Sequence, residues 1–340
     1  MLCDVTFHPS WWYDRTGICF NKEFFDDPEY RMRADSIMRR TLFERFGLGE
    51  MPQGNRPILG SDLLAMGFLH SQIFGCEISF TDDAAPAVHC KNLSLEDAAG
   101  LSVPDLDKDP VWQNVQRQID YLQDAFGYVI PAINLMGIQN IAMDLLGQDL
   151  FIQYYENPEI IDHVLDVITQ LSIDIGRRFK ALSPYISAGV TSIVTQMVPD
   201  AYITSNCSVE MVSQDMYEKF LLKYDDALGR EFKPFAIHHC GKTCEHVING
   251  YAKAANLAFI EAGAFSDFAA VRKAIPYIAL NARYSPVRLR DVPVEDMRRE
   301  IEQMYHDGKP AELFSVSCVG IDNTVSDEKI RSFLMTCREL

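Results

Sequence analysis

The sequence predicts an α/β chain built as a (β/α)8 TIM barrel with an N-terminal helical extension. Three observations point there. Short apolar runs alternate with longer amphipathic stretches, the pattern of parallel strands joined by crossover helices. About eight such runs occur, enough to close a barrel. No Gly-x-Gly-x-x-Gly follows an early run, as a dinucleotide-binding open sheet would show, although a doubly wound sheet stays the competing architecture.

Residues 1–75 read as an extension packed on the barrel. Asp27-Pro28-Glu29 has the cap, proline and acid of a first helical turn, and the region from Arg31 to Phe46 is rich in helix formers. Trp11-Trp12-Tyr13 reads as aromatic packing of this segment rather than a cofactor wall. The expected strands are Glu77 to Phe80, Tyr128 to Ile133, Thr191 to Val194, Tyr202 to Thr204, Phe235 to Ile237, Leu257 to Ile260, Tyr277 to Leu280 and Leu313 to Val316. Between them, Asn157-Pro158-Glu159 opens a helix with a cap and a proline in its first turn. No repeat, low-complexity block or charged linker interrupts residues 1–340, so one domain is the simplest organisation.

Asp and Glu outnumber Lys and Arg by 48 to 31, and a net charge of -17 repels a polyphosphate backbone, so nucleic acid is not an expected partner. The start, MLCDVTFHPSWW, has neither a basic n-region nor a sustained apolar h-region, and a cytoplasmic location is expected. Residues Ala125 to Met143 carry no charge over about the length of a bilayer span. Pro131, Asn134, Gln139 and Asn140 would be unsatisfied in a lone spanning helix, so this stretch reads as strand, loop and helix, with no membrane involvement. Nine cysteines are an odd number spread over a long chain, which argues for reduced thiols rather than a disulfide framework.

The chemistry concentrates in Phe235-Ala-Ile-His-His-Cys-Gly-Lys-Thr-Cys-Glu-His-Val247. Extended residues at i and i+2 share a side, so His238 and Cys240 converge while His239 faces away, and a helix is expected to begin near Thr243. A borderline-soft ion such as zinc favours that nitrogen and sulfur pair. Leu313-Phe-Ser-Val-Ser-Cys-Val-Gly320 repeats the arrangement, with an apolar run ending at Cys318. Strand ends of a barrel meet on one face, so His238, Cys240 and Cys318 form a candidate set of three ligands with an open fourth position. Two readings stand beside it: core thiols with a buried histidine, and a local set of Cys240, Cys244 and His246.

Other polar residues follow apolar runs and can line the same mouth. Asn206, Ser208 and Glu261 are the candidate catalytic residues, with Glu261 placed either at the fourth metal position or in a pair with Arg283. Thr81-Asp82-Asp83 reads as a solvated turn.

These segments resemble the uroporphyrinogen decarboxylase superfamily, and within it the zinc-dependent, corrinoid-linked methyltransferase branch. The resemblance runs through Leu135-Met-Gly-Ile-Gln-Asn-Ile-Ala-Met-Asp-Leu-Leu-Gly147, Tyr155-Glu-Asn-Pro-Glu-Ile-Ile-Asp-His-Val-Leu165, Cys207-Ser208 before Val212-Ser213-Gln214-Asp215-Met216-Tyr217, and His238-x-Cys240 with the distant Cys318-Val-Gly320. It implies a barrel with zinc held by His238, Cys240 and Cys318, and it marks Gln139, Asn140 and Cys207 as candidate cofactor-binding positions. It also implies a corrinoid of the cobalamin type as co-substrate, delivered by a corrinoid carrier protein, and a small-molecule methyl donor or acceptor. Tyr30-Arg-Met-Arg33 is not the N-terminal arginine signature of the decarboxylases, and Asp82-Asp83 only loosely matches their aspartate motif. Tetrapyrrole decarboxylation and non-catalytic corrinoid or metal binding are the alternative functions.

Overall fold

Ten strands form in the computed structural model, which describes residues 1–186, 189 and 191–340. In chain order they are β1 (Leu2–Phe7), β2 (Ile58–Gly60), β3 (Glu77–Ser79), β4 (Ala87–His89), β5 (Ile130–Ala132), β6 (Tyr202–Ser205), β7 (Phe235–His238), β8 (Leu257–Ala262), β9 (Ala279–Tyr284) and β10 (Phe314–Ile321). Six make one parallel sheet in the order β1-β10-β9-β8-β7-β6, and β2 pairs in parallel with β5. A parallel bridge between Met136 and Ser205 ties the β2–β5 pair to the β6 edge. Leu63, just past β2, lines a cleft with Asp4 and Val5 of β1, so the curled sheet brings its two ends together as a TIM barrel does.

Helices cover the outside, among them Pro28–Phe46, Pro110–Phe126, Pro158–Leu182, Val294–Gly308 and Asp327–Glu339. Local chemistry sets their starts. Asp27 accepts from the Glu29 N–H and Asp109 from the Trp112 N–H, each followed by proline at the first helical position. Trp11 and Trp12 are fully buried against Phe7 and Phe46, which seats the N-terminal segment on the barrel.

The strands differ from the expected set in several places, the unexpected β2 and β4 among them. Leu2–Phe7, within the stretch read as helical, joins the sheet beside β10, with Val5 opposite Cys318. Glu77–Ser79 forms an antiparallel hairpin with β4, outside the parallel set. Thr191 to Val194 is not a strand: a helix runs from Ile193 to Met197, and its apolar residues are buried with Ile203, Ala236 and Phe259. A short buried helix and a buried strand present the same apolar run. Residues 125–143 hold the end of a helix, β5, a loop and the start of the helix Ile138–Leu146. Among the described residues, no helix is long and apolar enough to cross a membrane.

Candidate metal centre

Parallel register places one residue from each of five strands in a row across the sheet: Ser205, His238, Glu261, Asn281 and Ser315. β7 is buried throughout and ends at His238, where the chain leaves the sheet. Backbone bonds continue past that end, from the Asn206 N–H to the His238 carbonyl (2.7 Å) and from the His239 N–H to the Glu261 carbonyl (2.9 Å). The loops after β6 and β7 therefore leave the sheet side by side.

Those loops bring Cys207, His238 and Cys240 together, with donor atoms all within 4.8 Å of one another. His238 is buried, Cys207 half-buried and Cys240 exposed. Tetrahedral zinc with ordinary Zn–S and Zn–N bonds needs donor separations of roughly 3.5–3.8 Å, which a small closure of this trio supplies. His238 Nδ1 lies 2.7 Å from Glu261 Oε2, so Nε2 is the nitrogen left for an ion. A carboxylate behind a ligating imidazole is the usual outer partner of such a centre. The donor set therefore fits zinc.

Each loop is held by named contacts. Gln139 and Asn140, on the helix Ile138–Leu146, grip the Cys207 loop from both sides. Asn140 Nδ2 donates to the Ser205 carbonyl (2.6 Å), while its Oδ1 accepts from the Ser208 N–H (2.9 Å) and hydroxyl (2.5 Å). Gln139 Nε2 donates to the Ser208 carbonyl (2.9 Å), and its Oε1 accepts from Tyr154 (3.0 Å). The Cys240 turn is tied to the same loop, since Glu210 Oε2 accepts from the Lys242 N–H (2.5 Å). Gly263 has to lack a side chain, because a Cβ there would run into the Gly241 carbonyl.

Charge favours a deprotonated sulfur. Burial opposes protonation of His238, but Glu261 and the Cys240 sulfur outweigh it and raise its pKa to about 9. The Cys207 thiol, followed by His238 and Arg283, holds Cys240 well below the usual thiol range, and Cys207 itself is pushed up by the same contact. Burial opposes ionisation of Glu261, yet His238 and Arg283 keep it low; Arg283 Nε lies 3.6 Å from its Oε1. A bound dication would reverse the local balance, deprotonating both thiols and leaving His238 neutral.

Cys318 stands apart from this trio. It belongs to the row Tyr284, Cys318, Val5, whose neighbours face the helices: Tyr284 reaches Glu300 on Val294–Gly308 and packs on Phe333 of Asp327–Glu339. The adjacent Ser317 and Ser315 bond Asn281 on the opposite face. Side chains alternate along a strand, so a residue one step from the Ser317 row is turned outward. Cys318 is fully buried in the apolar core, where desolvation pushes its thiol up.

Several other sequence expectations change role. Asn206 turns inward, donating to the buried Asp225 carboxylate (2.6 Å), so it does not face the mouth. Ser208, Gln139 and Asn140 satisfy one another as the loop clamp. Glu261 Oε2 contacts His238 and accepts from Thr191 (3.1 Å), placing it behind the imidazole rather than at a fourth ligand position. Cys244 receives a contact from Ser266 (3.5 Å), and neither it nor His246 belongs to the trio. No helix starts at Thr243; the next runs from Ile248 to Tyr251. His239 is buried, with Nδ1 2.8 Å from the Tyr251 hydroxyl. Cys207, expected to contact a cofactor, is the third member of the donor set. Its signal was its place three residues past the apolar run Tyr202 to Thr204.

Fold and site define a parallel barrel protein with an imidazole and two sulfurs gathered where adjacent strands end. Uroporphyrinogen decarboxylase (URO-D) is the family whose pattern matches residues 58–340. The chain belongs to that family. Among solved structures it is similar to a methyltransferase from Methanosarcina mazei, at 18% identity and a TM-score of 0.69, covering 99% of this chain and 93% of that one. No curated protein sequence matches it.

Proposed function

We propose that this chain is a zinc-dependent methyltransferase moving a methyl group between a corrinoid, carried by a separate protein, and a small thiol or methylated substrate in the cytoplasm. The observation that carries the reading is the convergence of Cys207, His238 and Cys240 within 4.8 Å at the strand ends. Likeness in fold to the Methanosarcina mazei methyltransferase supports it.

Three protein ligands leave one position for a substrate heteroatom, the pattern of a catalytic rather than a structural site. Bound there, zinc lowers the pKa of a thiol substrate or acts as a Lewis acid on a methylated one. The chain's own residues prepare that position. Glu261 fixes the His238 ring and keeps the proton on Nδ1. Two cysteine sulfurs cancel the charge of a divalent ion, so a substrate thiolate would add a net negative charge. Arg283, paired with Glu261, also brings its positive charge to bear on Cys207 and Cys240. A corrinoid is too large for a barrel interior filled by side chains, so its carrier must dock on the open face.

The family description favours a second reading, tetrapyrrole decarboxylation without metal. One experiment separates the two. Zinc-loaded protein with methylcobalamin and a thiol panel is expected to demethylate the corrinoid faster than a protein-free control, and the His238→Ala variant to lose that rate. Product formation from uroporphyrinogen by metal-free protein, with no methyl transfer in either direction, would replace methyl transfer with decarboxylation.

A further inference from the structure

A cavity of about 370 Å³ opens at the ends of β2 and β5, roofed by the N-terminal segment that precedes the family match. Gly60, Ser61, Ala132 and Asn134 form its strand-end wall. Asn134 accepts a hydrogen bond from the Ser205 hydroxyl (2.7 Å), and Ser205 is paired in register with His238. The cavity is thus one strand removed from the metal centre.

Two features of its lining point to a ligand. Phe25, Phe68 and Phe80 make an aromatic triad, with ring centroids 5.1, 5.3 and 5.6 Å apart. All three line the cavity, and such a group receives a flat apolar body edge to face. The second feature is Arg31, which is 1% exposed. Its guanidinium donates to the Ile58 carbonyl (3.0 Å), the Phe24 carbonyl (3.2 Å) and the Phe25 carbonyl (3.1 Å), while Nη2 has no partner. Three neutral acceptors leave its charge without a contacting carboxylate among the described residues. Gln118 Oε1, on another wall, is also buried and unpartnered.

Net charge sharpens the contrast. The chain carries -17 overall, yet this lining has Lys22, Arg31 and Arg117 against Asp26 alone. Asp26 is already engaged, by Asn114 Nδ2 at 2.9 Å and Lys22 Nζ at 3.9 Å. More distant negative charge from Asp27 and Asp35 reaches Arg31 but contributes no hydrogen bond to it. A buried cation with a spare donor is a place for an anion, and a planar carboxylate matches a guanidinium best.

We infer that this cavity binds a small carboxylate with an aromatic or similarly flat apolar body, its anionic head at Arg31 and its body against the phenylalanine triad. The inference stands apart from the metal reading, because no atom of the trio takes part in it. The volume of about 370 Å³ lies at the lower end of small-molecule sites, which suits a ligand of this size.

The test uses the full chain stripped of metal by chelator, with 3-phenylpropionate and its amide as probes, read by calorimetry and ligand-observed NMR. The acid should bind at least about tenfold more tightly than the amide, the scale of one charge-assisted hydrogen bond. Arg31→Met should abolish that preference. Because Arg31 also holds three carbonyls and its loss can prevent folding, Val111→Trp provides the second arm, filling the cavity while leaving the charges in place. It should remove binding of both probes. Equal affinity of acid and amide, or unchanged binding in a folded Val111→Trp protein, overturns the inference.

Discussion

His238 and Glu261 lie opposite each other across the β7–β8 register and meet side chain to side chain, Nδ1 to Oε2, at 2.7 Å. Glu261 is fully buried, and Thr191 and Arg283 hold its two oxygens from other directions. The imidazole therefore cannot rotate without breaking a buried charged contact. Glu261→Gln should weaken zinc affinity by about 10–100-fold, the usual effect of removing an outer carboxylate partner. Chelator competition measures it, and affinity equal to wild type would show that the carboxylate does not orient the ligand.

The grip of Asn140 on the Cys207 loop predicts a paired effect. Asn140→Ala leaves the Ser208 N–H without a partner and the Ser205 carbonyl with only the Gly137 N–H, at a cost of about 1–3 kcal/mol in urea unfolding. Zinc affinity should fall in the same variant, because the loop that carries Cys207 loosens. Lost stability with unchanged affinity would separate the clamp from the centre.

Gly263 predicts a packing effect on the other loop. A methyl group there collides with the Gly241 backbone between Cys240 and Lys242. Gly263→Ala should displace the Cys240 turn, cost about 1–3 kcal/mol as overpacking does, and reduce zinc binding. Retained affinity and stability together would mean that the turn yields freely.

Stability should depend on pH with two opposing contributions. His70 is fully buried with both ring nitrogens unpartnered, and burial lowers its pKa to about 4. The unfolded chain binds its proton first, near 6.5, so stability is complete above that pH and is lost as pH falls towards 4, by up to about 3 kcal/mol. Asp225 runs the other way. Burial raises its pKa to about 6 despite bonds from Tyr217 and Asn206, so the folded state holds its proton first and stability falls as pH rises from about 3.8 to 6. Asp4, likewise raised to about 6 by burial, adds to that second slope. His70→Leu should reduce the acid-side loss, leaving the share of His239, whose pKa burial also lowers to about 4. An unchanged acid profile by urea titration would rule out His70 as its source.

What the sequence revealed and what it hid follow from the same physics. Apolar runs bounded by turns identified β5 to β10, because buried parallel strands read as continuous hydrophobic stretches. Ile58–Gly60 is only three residues long and gave no such signal. Thr191–Val194 gave the signal without the strand, since burial rather than conformation made it apolar. At the site, His238 and Cys240 were legible from their spacing just past a strand end. Cys318 ended a similar run, but strand parity decides which face a residue takes, and β10 continues to Ile321 with Ser317 facing inward. Cys207 followed an apolar run too, and only the side-by-side exit of the β6 and β7 loops reveals its nearness to Cys240.

The choice between Cys207 and Cys318 tests the centre most directly. Zinc content per chain should be measured on anaerobically purified wild type, Cys207→Ser and Cys318→Ala, alongside circular dichroism to confirm folding. Cys207→Ser should lose stoichiometric zinc, while Cys318→Ala should keep it and change only thermal stability. Zinc retained by Cys207→Ser and lost from a folded Cys318→Ala protein would contradict the trio and require β10 to turn its cysteine inward.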